Sequence, residues 1–204
     1  MKQIIAGALG AVFICTAAGA GFIQAGGIDV AADTPHAPIT LQLLEWARDR
    51  SIDRQTREIV PPADLADAAR VRRGAGNYDA MCVGCHLSPG AGDSELRKGL
   101  YPQPPDLSLA SPGTDARRFW IIKHGIKASG MPAWRQGGME DEAIWDITAF
   151  LKAMPTLSAE AYRQQVAASD GHSHQGTHPP QSTTEPARRK NDKPPAHDHA
   201  GHKH

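Results

Sequence analysis

Two cysteines three positions apart, followed at once by a histidine, constrain this chain more than any other stretch: Cys82-Val83-Gly84-Cys85-His86. On a helical turn this spacing places two thiols on one side and aims the next imidazole the same way. A thioredoxin-like redox pair would want a βαβ pattern around it, and the sequence shows none. A structural zinc site would want a second pair of ligands, and the third cysteine, Cys15, is far away. Chance would produce the pattern in about two chains per thousand at this composition.

The reading that remains is covalent attachment of one haem c, with Cys82 and Cys85 as thioether donors and His86 as the first axial ligand of the iron. Aromatic residues make up only 5% of the chain. A large apolar cofactor would supply what such a core lacks in ring surface.

The second axial ligand must come from a distant segment that folds over the other face of the haem. Met131, in Ser129-Gly130-Met131-Pro132, is the candidate, because Gly and Pro suit a rigid loop presenting a thioether. His124 is the rival and would give a bis-imidazole site of lower potential. Met81 adjoins the attached cysteine on the wrong side, and Met139 and Met154 lack such a loop. The run Tyr101-Pro102-Gln103-Pro104-Pro105 is placed to offer a carbonyl to the second ring nitrogen of His86, with the choice of residue left open.

Around the motif the pattern is all-α. Residues 4–23 carry no charge and are long enough to span a bilayer, with Lys2 the only charge before Asp29. The expectation is a retained anchor in a bacterial inner membrane, with the rest exported to the periplasm; a cleaved signal peptide is the alternative. Cys15 within this stretch reads as a buried apolar thiol. A spacer follows, then a helix capped by Thr40 and running to about Ile59, stopped by Pro61-Pro62. A further helix is expected from near Asp64 to Met81, and residues 87–113 are dense in Gly and Pro and read as loop. Thr114 should cap a helix over 115–124. Another helix should cover 141–153 with Ile144, Ile147 and Leu151 on one face, and a short one 158–168. The organisation is thus 1–25 anchor, 26–61 spacer and juxtamembrane helix, 62–157 haem domain, 158–170 short helix, and 171–204 a disordered tail.

Seven of the ten histidines lie in that tail: His172, His174, His178, His197, His199, His202 and His204. Their spacing suits copper, zinc or nickel, so a metal-handling protein with an attached haem domain is a second reading.

Residues 64–157 resemble a class I, mono-haem cytochrome c, and a membrane-anchored bacterial subgroup is the nearest likeness. Gly74 and Tyr78 stand eight and four residues before Cys82, as in that family's amino-terminal helix. The resemblance implies that they pack against the helix carrying Ile144-Trp145-Asp146-Ile147 and Phe150-Leu151. Phe119 to Ile126, with Gly130-Met131-Pro132-Ala133-Trp134, resembles the family's distal segment.

With His86 and Met131 both bound, no coordination position is open to substrate. The expected activity is outer-sphere electron transfer between redox partners such as membrane respiratory complexes or dehydrogenases, not enzymatic turnover; a peroxidase would need a free sixth position. Charge is balanced at 22 against 22, so nucleic acid is not an expected partner. Lys123, Lys127 and Arg135 flank the distal loop, where they would attract an acidic redox partner.

Overall fold

The computed structural model describes residues 1–110 and 112–175. The tail histidines His178, His197, His199, His202 and His204 lie outside the described residues. Every regular element among the described residues is helical.

The uncharged amino-terminal stretch forms α1 (Lys2–Gln24), of which Gln3–Gln24 is long and apolar enough to cross a membrane. Among the described residues nothing covers it, and Cys15 on it is exposed rather than buried. Residues 25–37 lead to α2 (Pro38–Gln55). This helix starts two residues before Thr40, because Pro38 supplies a preset first-turn φ and needs no donor there. It stops short of Ile59, where Thr56 turns its hydroxyl back onto the Ile52 carbonyl.

The domain is built on the crossing of α3 (Ala68–Met81) and α7 (Asp141–Ala153). Helix α3 begins at Ala68, not near Asp64, since the Asp67 carboxylate accepts from the amides of Ala69 and Arg70 and closes the first turn. Asp64 is instead drawn to Arg70, 2.9 Å from its Nε. At the crossing Gly74 lets the backbones touch: a Cβ there would lie 2.0 Å from the Asp146 carbonyl oxygen. Beside it Arg70 and Arg73 both grip the buried Asp146, at 3.0 and 2.7 Å, and Arg70 also reaches Glu142 at 2.8 Å. Burial disfavours the Arg70 charge, but the three carboxylates outweigh it and raise its pKa.

Tyr78 meets Phe150 of α7 with ring centroids 5.5 Å apart. Trp145 faces the other way and stacks on Phe119 of α6 (Asp115–His124) at 4.0 Å. Helix α7 therefore serves two partners, with Phe150 towards α3 and Trp145 towards α6. Two short helices, α4 (Val83–His86) and α5 (Glu95–Lys98), precede α6, and a 3₁₀ turn (Trp134–Gly137) follows it. After a second 3₁₀ turn, α8 (Ala159–Ala167) packs on α3, its Tyr162 hydroxyl donating to Asp79 at 2.8 Å. Residues 171–175 also lie on the domain. Asn77 Oδ1 accepts from the Ser173 amide at 2.8 Å, and the His174 carbonyl accepts from the Glu140 amide at 2.9 Å.

Candidate functional site

The site grows from the carboxyl end of α3. Cys82 ends that helix and starts α4, and its carbonyl accepts from the amides of Cys85 (3.1 Å) and His86 (2.9 Å). One helical turn thus holds both thiols and the imidazole in fixed relation. Burial, with a smaller contribution from Cys85, pushes the Cys82 thiol up to about 12, so it is a neutral S–H and not a thiolate.

The turn closes on Leu87, whose φ of 62° lies where glycine is favoured. Such a conformation costs roughly 1–3 kcal/mol and persists only where the surroundings fix it. Here the Leu87 amide donates to Val83, and its carbonyl accepts from the Tyr78 hydroxyl at 2.6 Å. Tyr78, one of the residues carrying the resemblance, thereby positions the chain immediately after His86.

His86 Nδ1 stands 2.9 Å from the Pro105 carbonyl oxygen. A carbonyl only accepts, so the proton sits on Nδ1 and Nε2 carries the free lone pair. Burial lowers the His86 pKa against the opposing pull of that hydrogen bond, which keeps the ring neutral. Of the candidates in the proline-rich run, Pro105 is the one that meets the ring. The run is held by Arg97, whose Nε donates to the Pro104 carbonyl (2.9 Å) while its Nη1 pairs with Asp93 (2.8 Å). The Leu107 amide donates to the His86 carbonyl, tying the same segment to the histidine backbone. Arg97 carries no local signal in the sequence, because its partner is a backbone carbonyl seven residues on.

Met131 is half-buried and packs against the domain core, as do Cys82, Val83, Leu107 and Trp134. Its amide donates to Ser129 Oγ (3.2 Å) and its carbonyl accepts from Ile126 (3.2 Å). Gly125, at φ 66°, makes this loop possible: a Cβ there would lie 2.7 Å from the Met131 carbonyl oxygen. Gly130 in turn rests on Leu100, linking the distal loop to the segment that bears Pro104 and Pro105. His124 is exposed at the end of α6, its ring 4.9 Å from that of Trp120. Met139 and Met154 are fully enclosed core side chains. Of the flanking cations, Lys123 is paired with Asp141 at 2.7 Å, whereas Lys127 and Arg135 are exposed.

The candidate donors are the two thiols of Cys82 and Cys85, the imidazole of His86 with Nε2 free and the thioether of Met131, bordered by half-buried apolar side chains. They fit a covalently held haem. Residues 69–151 match the family model described as cytochrome c oxidase, cbb3-type, subunit III. No curated protein and no solved structure matches the chain.

Proposed function

Residues 69–151 being a c-type cytochrome domain, we propose that the chain is a membrane-anchored carrier of single electrons, with one haem c bound through Cys82 and Cys85 and its iron held between His86 Nε2 and Met131 Sδ. The bound haem supplies the Fe(III)/Fe(II) couple. The chain's own residues hold its surroundings still. Pro105 fixes the ring and tautomer of His86, Arg97 braces the proline run, and Ser129 with Ile126 fixes the Met131 loop. The observation that carries this reading is the His86–Pro105 hydrogen bond, which leaves Nε2 as the coordinating atom.

Half-burial of Met131 against the core, set beside the exposure of His124, favours the thioether as sixth ligand. Met131→Ala should abolish the Met–iron charge-transfer band of the oxidised protein. It should also lower the reduction potential and open the iron to carbon monoxide, from no detectable binding to full occupancy. An unchanged spectrum would transfer the role to His124.

Helix α1 supports anchoring in a bacterial inner membrane, with Lys2 on the cytoplasmic side and the haem domain on the periplasmic side. Lys127 and Arg135 suit a redox partner with an acidic docking face. The oxidase description of the matching family favours a respiratory setting.

A second reading, copper, zinc or nickel binding by the histidine-rich tail, is favoured by one observation: the His172 and His174 rings lie edge to face, 4.7 Å apart. Because residues 171–175 pack on the domain, the chain should be cut after Gln175, not at Asp170. The shortened protein should keep its haem spectrum and potential while losing at least the five metal-binding imidazoles beyond His174. Equal copper and zinc capacity in both forms would dispose of the five histidines beyond Gln175 as a metal site.

A further inference from the structure

Helix α2 is divided along its length. Residues 38–47 contain a single charge, Glu45, whereas residues 48–55 carry Arg48, Asp49, Arg50, Asp53 and Arg54. The charged half is docked on the cytochrome domain. Ile52 is buried, and Arg117 of α6 pairs with Asp49 (2.6 Å) and Asp53 (2.7 Å). Just before the helix the His36 amide donates to the Tyr101 hydroxyl at 3.0 Å, and the two rings meet edge to face. The helix is therefore secured near both ends.

Along the amino-terminal half of α2, nothing among the described residues covers the face opposite Ile52. Ile39, Leu43 and Trp46 are 72, 60 and 60% exposed and follow one another at i, i+4 and i+7. Continued at the same spacing, this stripe reaches Arg50 and Arg54, both exposed. One helix face thus runs from aliphatic and indole side chains to guanidinium groups. It points away from Ile52, the side chain by which α2 enters the domain core.

Position in the chain says what covers this face. Helix α1 ends at Gln24 and α2 begins at Pro38, so thirteen residues, at most about 45 Å when extended, separate the apolar face from the span. We propose that α2 is an interfacial helix whose Ile39, Leu43 and Trp46 side chains insert into the periplasmic surface of the bilayer, with Arg50 and Arg54 on anionic headgroups. Trp is favoured at the headgroup boundary, and a face that passes along its length from apolar side chains to arginines suits a helix that dips its amino-terminal half into that boundary and keeps its arginines at the anionic headgroups. The proposal rests on the anchored reading of α1. Its consequence for function is orientation. Because α2 is clamped to α6 and to the Tyr101 loop, seating α2 on the bilayer sets which side of the cytochrome domain faces the membrane.

The test uses the full haem-loaded chain in nanodiscs of equal parts phosphatidylethanolamine and phosphatidylglycerol, doped with a lipid bearing a photoreactive acyl chain. Adducts mapped by mass spectrometry should fall on α1 and, separately, on Leu43 and Trp46, and not on Glu45. In the double variant Leu43→Glu/Trp46→Glu the second cluster should fall about tenfold or more while the α1 adducts and haem spectrum persist. Adducts on α1 alone in the unmodified chain would overturn the proposal and leave the anchor standing. A chain that washes from the membrane with its amino terminus near Gly26 would overturn the anchor, and the proposal with it. A photoreactive residue at position 46 that captures a second polypeptide in cells, in place of lipid, would likewise overturn the proposal by assigning this face to a protein contact.

Discussion

Cys82→Ser with Cys85→Ser should leave no haem on the polypeptide after extraction with acidified organic solvent, whereas the unmodified protein should retain all of it. The two thiols are fixed by one turn of helix, with the Cys82 carbonyl capping the amides of both Cys85 and His86. Serine keeps that backbone geometry, since neither hydrogen bond uses a side chain. What it removes is the nucleophilic sulfur of each thioether, so the experiment reads attachment and not folding of the turn. Any haem that remains in the double variant would depend on His86 and the distal ligand alone, and should dissociate under denaturing conditions. Retention of haem through the extraction would refute covalent attachment at this motif.

Gly74→Ala should be the most damaging single methyl in the domain. By helix propensity alone, alanine would stabilise α3 by up to about 1 kcal/mol. Here the added Cβ would sit 2.0 Å from the Asp146 carbonyl oxygen and 2.8 Å from Phe150 Cβ, both parts of a packed helix and unable to swing aside. Helices α3 and α7 would have to separate, disturbing the Arg70–Asp146 and Arg73–Asp146 pairs that bridge them. Overpacking of this kind costs about 3 kcal/mol or more, which for a domain of this size lowers the melting temperature by roughly 12–24 °C. Gly84→Ala is the control. Its Cβ would meet only Leu96, at an ordinary 3.9 Å. Equal melting temperatures for the two variants would show that the α3–α7 crossing is not the tight point of the fold.

Much of this architecture is legible in the sequence wherever the signal is local. Thr114 caps α6, its hydroxyl accepting from the Arg117 amide, and the Ile144, Ile147 and Leu151 period defines α7. The start of α3 is not legible, because Asp64 and Asp67 are equivalent as capping residues until Arg70 draws Asp64 away. Helix α5 and the 3₁₀ turn at Trp134–Gly137 lie in Gly- and Pro-rich stretches, whose composition hides a single turn of helix. In the candidate site, the cysteines, His86 and Met131 are recognisable as residue types suited to the chemistry. The choice of Pro105, the brace from Arg97 and the hold of Tyr78 on Leu87 are not, since each depends on which backbone carbonyl the folded chain presents. The docking of residues 171–175 escapes for the same reason. Its receptor is Asn77, and Gly76 leaves room for it: a Cβ there would meet Ser169 Oγ at 2.4 Å and the Gly171 carbonyl oxygen at 2.6 Å.

The thirteen residues between α1 and α2 also set how often the cytochrome domain meets a partner. For an anchored chain, a link reaching at most about 45 Å confines the domain to a thin layer over the bilayer. A partner in the same membrane within that radius experiences it at an effective concentration of about millimolar, however few copies the cell holds. Encounter then becomes a lateral search in two dimensions, and a docking face of low intrinsic affinity suffices. Weak docking also allows quick release, so delivery of the electron need not be followed by a slow departure.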